Sequence, residues 1–132
     1  MTERHSTPTV LHFDDEVDTR ELFASRLERD GYRVLSAATP AETLQLARKE
    51  HPSVIVLDLV YHHSLDQGID LLRQLRNGTG GGDARVLVYS QRFDDAAQKD
   101  CAQLGVDAED YVVKPELDRC LTMIRSICPL EG

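Results

Sequence analysis

The sequence predicts a single α/β domain with a parallel sheet and helices on both faces. Three observations predict it. Short apolar, β-branched runs alternate five times with stretches whose apolar residues recur at helical spacing, the pattern of βαβ units. One run, Ser53-Val54-Ile55-Val56-Leu57, is continuously apolar after its first residue, as a strand reads when both sheet faces are covered. The chain of 132 residues fits one core, and it shows neither an internal repeat nor a composition break that would divide it.

In order, residues 1–8 read as a polar, disordered lead-in and 129–132 as a tail, leaving 9–128 as the folded unit. Thr9-Val10-Leu11-His12-Phe13 is the first strand and ends abruptly in Asp14-Asp15-Glu16. A helix follows with Val17, Leu22, Phe23 and Leu27 as its apolar positions, and Gly31 stops it. Tyr32 to Ala38 is the second strand. Thr39 then offers a capping hydroxyl, Pro40 a first-turn proline and Glu42 the reciprocal acid. That helix carries Leu44, Leu46 and Ala47 and stops at His51-Pro52, before the central apolar strand and Asp58.

The connection from Tyr61 to Gln67 is polar, and Gly68 is expected to open the third helix, with Ile69, Leu71, Leu72 and Leu75 inward. Arg76 to Asp83 reads as a flexible loop; it lacks the strand before it and the Lys after it that a phosphate-binding loop requires. Arg85 to Tyr89 is the fourth strand, ending at Ser90, and Asp94 to Leu104 the fourth helix, stopped by Gly105. Glu109 to Val113 is the fifth strand, ending at Lys114-Pro115, and Glu116 to Cys128 the last helix, with Leu117, Leu121 and Ile124 inward.

Composition narrows the function. A formal charge of −8 argues against direct nucleic-acid binding, which needs clustered Lys and Arg. No segment has the unbroken apolar length of a membrane span, and the N-terminus has no signal-peptide pattern. Cys101, Cys120 and Cys128 form no CxxC pair and are read as small buried hydrophobes in a reducing cytoplasm.

In a parallel sheet all C-terminal strand ends lie on one edge, where open α/β folds place their sites. That edge collects Asp14 and Asp15, Asp58, Ser90 and Lys114. Each alone is ordinary: acids favour helix starts, Asp58 and Ser90 suit caps, and Lys114-Pro115 suits a turn. Together, converging carboxylates repel unless a cation intervenes, and a hard ion such as Mg²⁺ (or Mn²⁺) suits them. With an ammonium and a hydroxyl alongside, the set is equipped for phosphoryl transfer, and a carboxylate nucleophile would form an aspartyl phosphate.

The four pieces Phe13-Asp14-Asp15-Glu16, Val56-Leu57-Asp58, Val88-Tyr89-Ser90 and Tyr111-Val112-Val113-Lys114-Pro115 resemble, in order, the receiver domain of two-component response regulators. The resemblance covers about Thr9 to Cys128. It implies a flavodoxin-like (βα)5 fold with strand order 2-1-3-4-5. It implies that Asp58 is the phosphoacceptor and that Asp15, Asp58 and the backbone carbonyl of Val60 bind Mg²⁺, with Asp14 acting through water. Lys114 would pair with phosphoryl oxygens, Ser90 would turn its hydroxyl inward, and Tyr111 would be the switch aromatic. The readout surface would be the fourth helix, fifth strand and fifth helix. The implied function is a stand-alone cytoplasmic switch, monomeric or weakly dimeric. A histidine kinase or phosphotransfer protein would phosphorylate it, and a downstream protein partner would read it.

The chain departs from the family pattern at two places. Tyr61-His62-His63-Ser64 stands where a Met-Pro pair is usual, and Gly68 comes about two residues late. Gln91, followed by Arg92, stands where a small Ala is usual, so both are expected to modulate access to Asp58. Two rival readings stay open. One is a degenerate receiver that binds partners constitutively. The other is a Mg²⁺-dependent phosphohydrolase with an Asp nucleophile, although the haloacid dehalogenase pattern would want an acid where Val60 stands. A flavin carrier is disfavoured, because no Ser/Thr/Gly-rich loop follows the first strand. His62 and His63 read as surface loop residues, Asp107, Glu109 and Asp110 as a solvated acidic loop, and His12 as a satisfied core or edge histidine.

Overall fold

The computed structural model describes residues 7–61, 66–77, 84–91 and 95–130. The apolar runs form five strands: β1 (Thr9–Phe13), β2 (Arg33–Ala37), β3 (Val54–Leu57), β4 (Arg85–Ser90) and β5 (Tyr111–Val113). All pair in parallel, in the order β2-β1-β3-β4-β5. The helices between them are α1 (Val17–Asp30), α2 (Pro40–Glu50), α3 (Asp66–Arg76), α4 (Asp95–Gln103) and α5 (Leu117–Ile127). The expected fold class and strand order are both present.

The central strands are buried on both faces, which is why β3 reads Val-Ile-Val-Leu without alternation. Along β1, Leu11 and Phe13 join one core layer with residues of α2, α3 and α4. Val10 joins the other layer, with Phe23 and Leu27 of α1 and Cys120, Leu121 and Ile124 of α5. β2 is an edge strand, with Arg33 and Ser36 exposed.

Local signals set the helix ends. Thr39 Oγ1 accepts from Glu42 N–H at 3.1 Å, and Glu42 Oε1 accepts from Ala38 N–H at 2.8 Å, so the expected reciprocal cap reaches one residue further back. Gly31 closes α1 in the left-handed region, φ 113°, where a Cβ is unfavourable.

Several expectations are corrected. Val17 and Leu22 are each 53% exposed; Leu22 lies about 100° around the helix from Phe23, so Phe23 and Leu27 alone form the deep contact. Gly68 does not open α3, which begins at Asp66. It lies inside the first turn, packed on the backbone of Leu59. Ala108–Asp110 form a turn of 3-10 helix, so β5 starts only at Tyr111. Asp110 is not solvated: it is buried, and Arg85 grips it through two hydrogen bonds of 2.9 and 2.8 Å.

Arg76 does not belong to a loop either. It ends α3 and donates to the carbonyls of Leu104 at 3.0 Å and Ala84 at 3.1 Å. Pro8 is already tied to the sheet, its carbonyl accepting from Arg33 N–H at 3.1 Å. Expectations that fall on 1–6, 62–65, 78–83, 92–94 and 131–132, including those for His62, His63, Arg92 and Asp94, lie outside the described residues.

Candidate functional site

The C-terminal strand edge gathers the expected polar residues because parallel pairing aligns β1, β3, β4 and β5. Asp14 N–H donates to Ala37 O, Asp58 N–H to Phe13 O and Lys114 N–H to Ser90 O, at 3.1, 3.0 and 2.9 Å. Each is one rung beyond the last strand residue, so the backbone fixes where each side chain emerges.

Asp58 is the hub. Its Oδ1 accepts from the Ser90 hydroxyl and from the backbone N–H of Val60, both at 3.0 Å. Its Oδ2 accepts from Lys114 Nζ at 2.9 Å. Lys114 also donates to Asp14 Oδ2 at 2.6 Å and lies 3.6 Å from Glu16 Oε1. Asp14, Asp58 and Ser90 are buried, whereas Asp15 is exposed at the mouth.

Carboxylate oxygens of Asp14, Asp15 and Asp58 lie within 4.8 Å of one another. Among the described residues the ammonium paired with them is that of Lys114, so these three carboxylates and one ammonium carry excess negative charge. Burial pushes the Asp14 pKa above the ordinary carboxylate value, against the hydrogen bonds from Lys114 and from Glu16 N–H. Burial also disfavours the Lys114 charge, but its hydrogen bonds to Asp14 and Asp58 and their charges prevail and push it up to about 12. Three oxygen donors with surplus negative charge and one open, exposed side fit a hard divalent cation.

Around the hub, Asp14 Oδ1 accepts from Glu16 N–H at 2.9 Å, which turns the chain into α1. Arg20 donates to the Asp14 backbone carbonyl at 2.8 Å. Sequence reasoning missed Arg20, since an arginine one turn into a helix carries no signal of what it reaches. Tyr111 is buried in the layer shared with Val88 and Val106, and Gln91 is exposed beside Ser90.

His12 departs from expectation. It is fully buried and stacked on Phe23, with ring centroids 3.9 Å apart. Among the described residues neither ring nitrogen has a hydrogen-bond partner. Burial first, then the charges of Lys114 and Arg20, push its pKa down to about 3, which favours the neutral ring.

The sequence profile of the response regulator receiver domain matches residues 10–125. The chain is a response regulator receiver domain. The family is one of signalling phosphoacceptors in two-component systems. The receiver is 36% identical over 118 residues to the transcriptional regulatory protein KdpE of Mycobacterium tuberculosis, covering 89% of this chain and 49% of that protein. This receiver spans about half the length of the curated relatives it matches.

A response regulator from Thermotoga maritima superposes with TM-score 0.76 at 27% identity, covering 92% of this chain and 98% of that one. A response regulator from Burkholderia pseudomallei, solved with a phosphorylated aspartic acid, calcium ion and citrate, gives TM-score 0.75 at 29% identity. That match covers 91% of this receiver and 66% of the other chain. Among the described residues no helix is long and apolar enough to cross a membrane.

Proposed function

We propose that this receiver is a phosphorylation switch whose acceptor is Asp58. The observation that carries the reading is the three-way hold on Asp58, with Ser90 and Val60 on one oxygen and Lys114 on the other. A carboxylate oxygen of Asp58 attacks the phosphorus of a phosphohistidine on a histidine kinase or phosphotransfer protein. The P–N bond breaks, its electrons return to the imidazole, and an acyl phosphate forms. Lys114 and the Ser90 hydroxyl are placed to meet the phosphoryl oxygens, positioning and charge neutralisation being the main catalytic devices in such transfers.

Asp15, Asp58 and the Val60 carbonyl would hold Mg²⁺ or Mn²⁺, with Asp14 acting through water, and the ion would offset the phosphoryl charge. Arg20 and the Glu16 N–H fix the Asp14 turn for that task. The readout follows from Ser90, the last residue of β4, and Tyr111, the first residue of β5. A hydroxyl drawn to the phosphoryl group and a buried ring bias the surface of α4, β5 and α5 toward one of two arrangements. The output passes by contact to a protein partner. The names of the relatives favour a transcriptional outcome, in which that partner is a DNA-binding effector.

The test is incubation with acetyl phosphate and Mg²⁺, with intact mass as readout and Asp58→Asn and chelator as controls. The switch predicts one phosphoryl group, lost in both controls. Steady phosphate release with fast turnover would favour the phosphohydrolase, and no adduct with any donor would favour the constitutive interaction module.

A further inference from the structure

From Lys114 and Asp14 of the acidic cluster a closed ring of contacts runs through Tyr89, Phe23 and His12, three residues that the phosphoacceptor chemistry does not use. Lys114 Nζ lies 5.8 Å from the centroid of the Tyr89 ring. Tyr89 meets Phe23 at 6.5 Å, and Phe23 stacks on His12 at 3.9 Å. His12 Nε2 lies 4.0 Å from Asp14 Oδ2, the oxygen that accepts from Lys114 at 2.6 Å. Every member is buried or nearly so, the Lys114 side chain being 8% exposed.

Strand geometry explains the placement. Tyr89 pairs with Val112 in register, and alternation puts Val112 and Lys114 on one face. Tyr89 therefore lies under the Lys114 side chain, while its neighbour Ser90 reaches Asp58. A cation over an aromatic face within about 6 Å is held by the ring quadrupole, more strongly when water is excluded.

We propose that Tyr89 is a positioning residue for phosphoryl transfer, its ring face holding the Lys114 ammonium at Asp58. This rests on the reading of Asp58 as phosphoacceptor. Phe23 of α1 backs the ring, and His12 of β1 stacks behind Phe23. Without the π face, the described contacts of the Lys114 ammonium are to carboxylates, and it follows them when Asp58 becomes an acyl phosphate.

The test replaces Tyr89 with Phe, with Leu, and with 3,4,5-trifluorophenylalanine, which keeps the ring's shape but weakens its quadrupole. With acetyl phosphate, Tyr89→Leu slows phosphorylation by about tenfold, the scale of a desolvated cation–π contact. Tyr89→Phe rescues the rate, and the trifluoro ring falls between the two. A rate for the trifluoro variant equal to that of Tyr89→Phe overturns the proposal, because packing alone would then suffice.

A second readout needs no phosphorylation. NMR should show the Lys114 ε-methylene protons shifted upfield by the ring in the wild type and Tyr89→Phe, and at ordinary positions in Tyr89→Leu. If the wild type accepts no phosphate but the ring shift is present, the phosphoacceptor reading fails while the Lys114–Tyr89 contact stands. If the shift is missing in the wild type, the positioning role falls whatever the phosphorylation result.

Discussion

Gly68 and the backbone of Leu59 are in van der Waals contact with no room between them: a Cβ on Gly68 would lie 2.0 Å from the Leu59 carbonyl oxygen. Leu59 follows Asp58 directly, so the first turn of α3 braces the segment that carries the proposed acceptor. Neither the Leu59 carbonyl nor the α3 backbone can swing away as a flexible side chain would. Gly68→Ala is therefore expected to cost about 3 kcal/mol or more, the upper range for overpacking. It should also slow phosphorylation of Asp58 in whatever fraction folds. Denaturant titration checks the first expectation, and a midpoint unchanged from wild type would refute the brace.

The Arg85–Asp110 pair ties the start of β4 to the turn before β5. Asp110 is buried while Arg85 is about half exposed, so solvent screens the attraction and the main cost of losing Arg85 is a buried carboxylate left without a partner. Arg85→Met should lose about 2 kcal/mol. Adding Asp110→Asn should recover part of that loss, since a neutral amide tolerates the site better. If the second substitution instead costs as much in the Arg85→Met background as in wild type, the two residues are not coupled.

Alkaline pH should expose the buried thiols. Burial pushes Cys101 up to about 11 and Cys120 up to about 12 from an ordinary value of 9.0. Because the folded values are raised, their contribution to stability is complete below pH 9.0 and is lost as pH rises through the folded values. Cys120→Ala, although destabilised by its cavity at neutral pH, should lose less further stability than wild type between pH 9 and pH 11. Equal slopes for the two proteins in thermal melts would contradict this. At pH 8, a thiol reagent should label half-buried Cys128 before the other two.

Gln91 stands exposed next to buried Ser90. We propose that a side chain of this size, one residue after Ser90, limits the approach of water to Asp58. Gln91→Ala is expected to shorten the lifetime of the phosphorylated form by about three- to tenfold, a change near 1 kcal/mol in barrier. The decay of the adduct after removal of the phosphodonor measures it, and an unchanged lifetime would remove Gln91 from the account.

Much of this was legible in the sequence because strand ends carry their own signals. Apolar runs closed by Asp14, Asp58, Ser90 and Lys114 name both the strand and its exit, and parallel pairing brings those exits together without further information. What was not legible depends on distance across the fold. Asp110 looked like one acid among three until β4 placed Arg85 beside it, 25 residues away in sequence. Arg76 looked like the start of a glycine-rich loop, yet its guanidinium satisfies the carbonyl of Leu104 just past the next helix. Helical spacing gives α1 its apolar positions but not the width of its contact, so Val17 and Leu22 share the spacing yet stay exposed. Tyr89 read only as strand, because its partner Lys114 sits just past the end of another strand.

The central claim is that Asp58 carries the phosphoryl group. Borohydride reduces an aspartyl phosphate to homoserine, so the acceptor can be located by treating the acetyl phosphate-loaded protein and mapping its peptides by mass spectrometry. Homoserine at position 58, absent from Asp58→Asn, is the predicted result. Homoserine at Asp14 or Asp15, or at no position in a protein that gained phosphoryl mass, would contradict it.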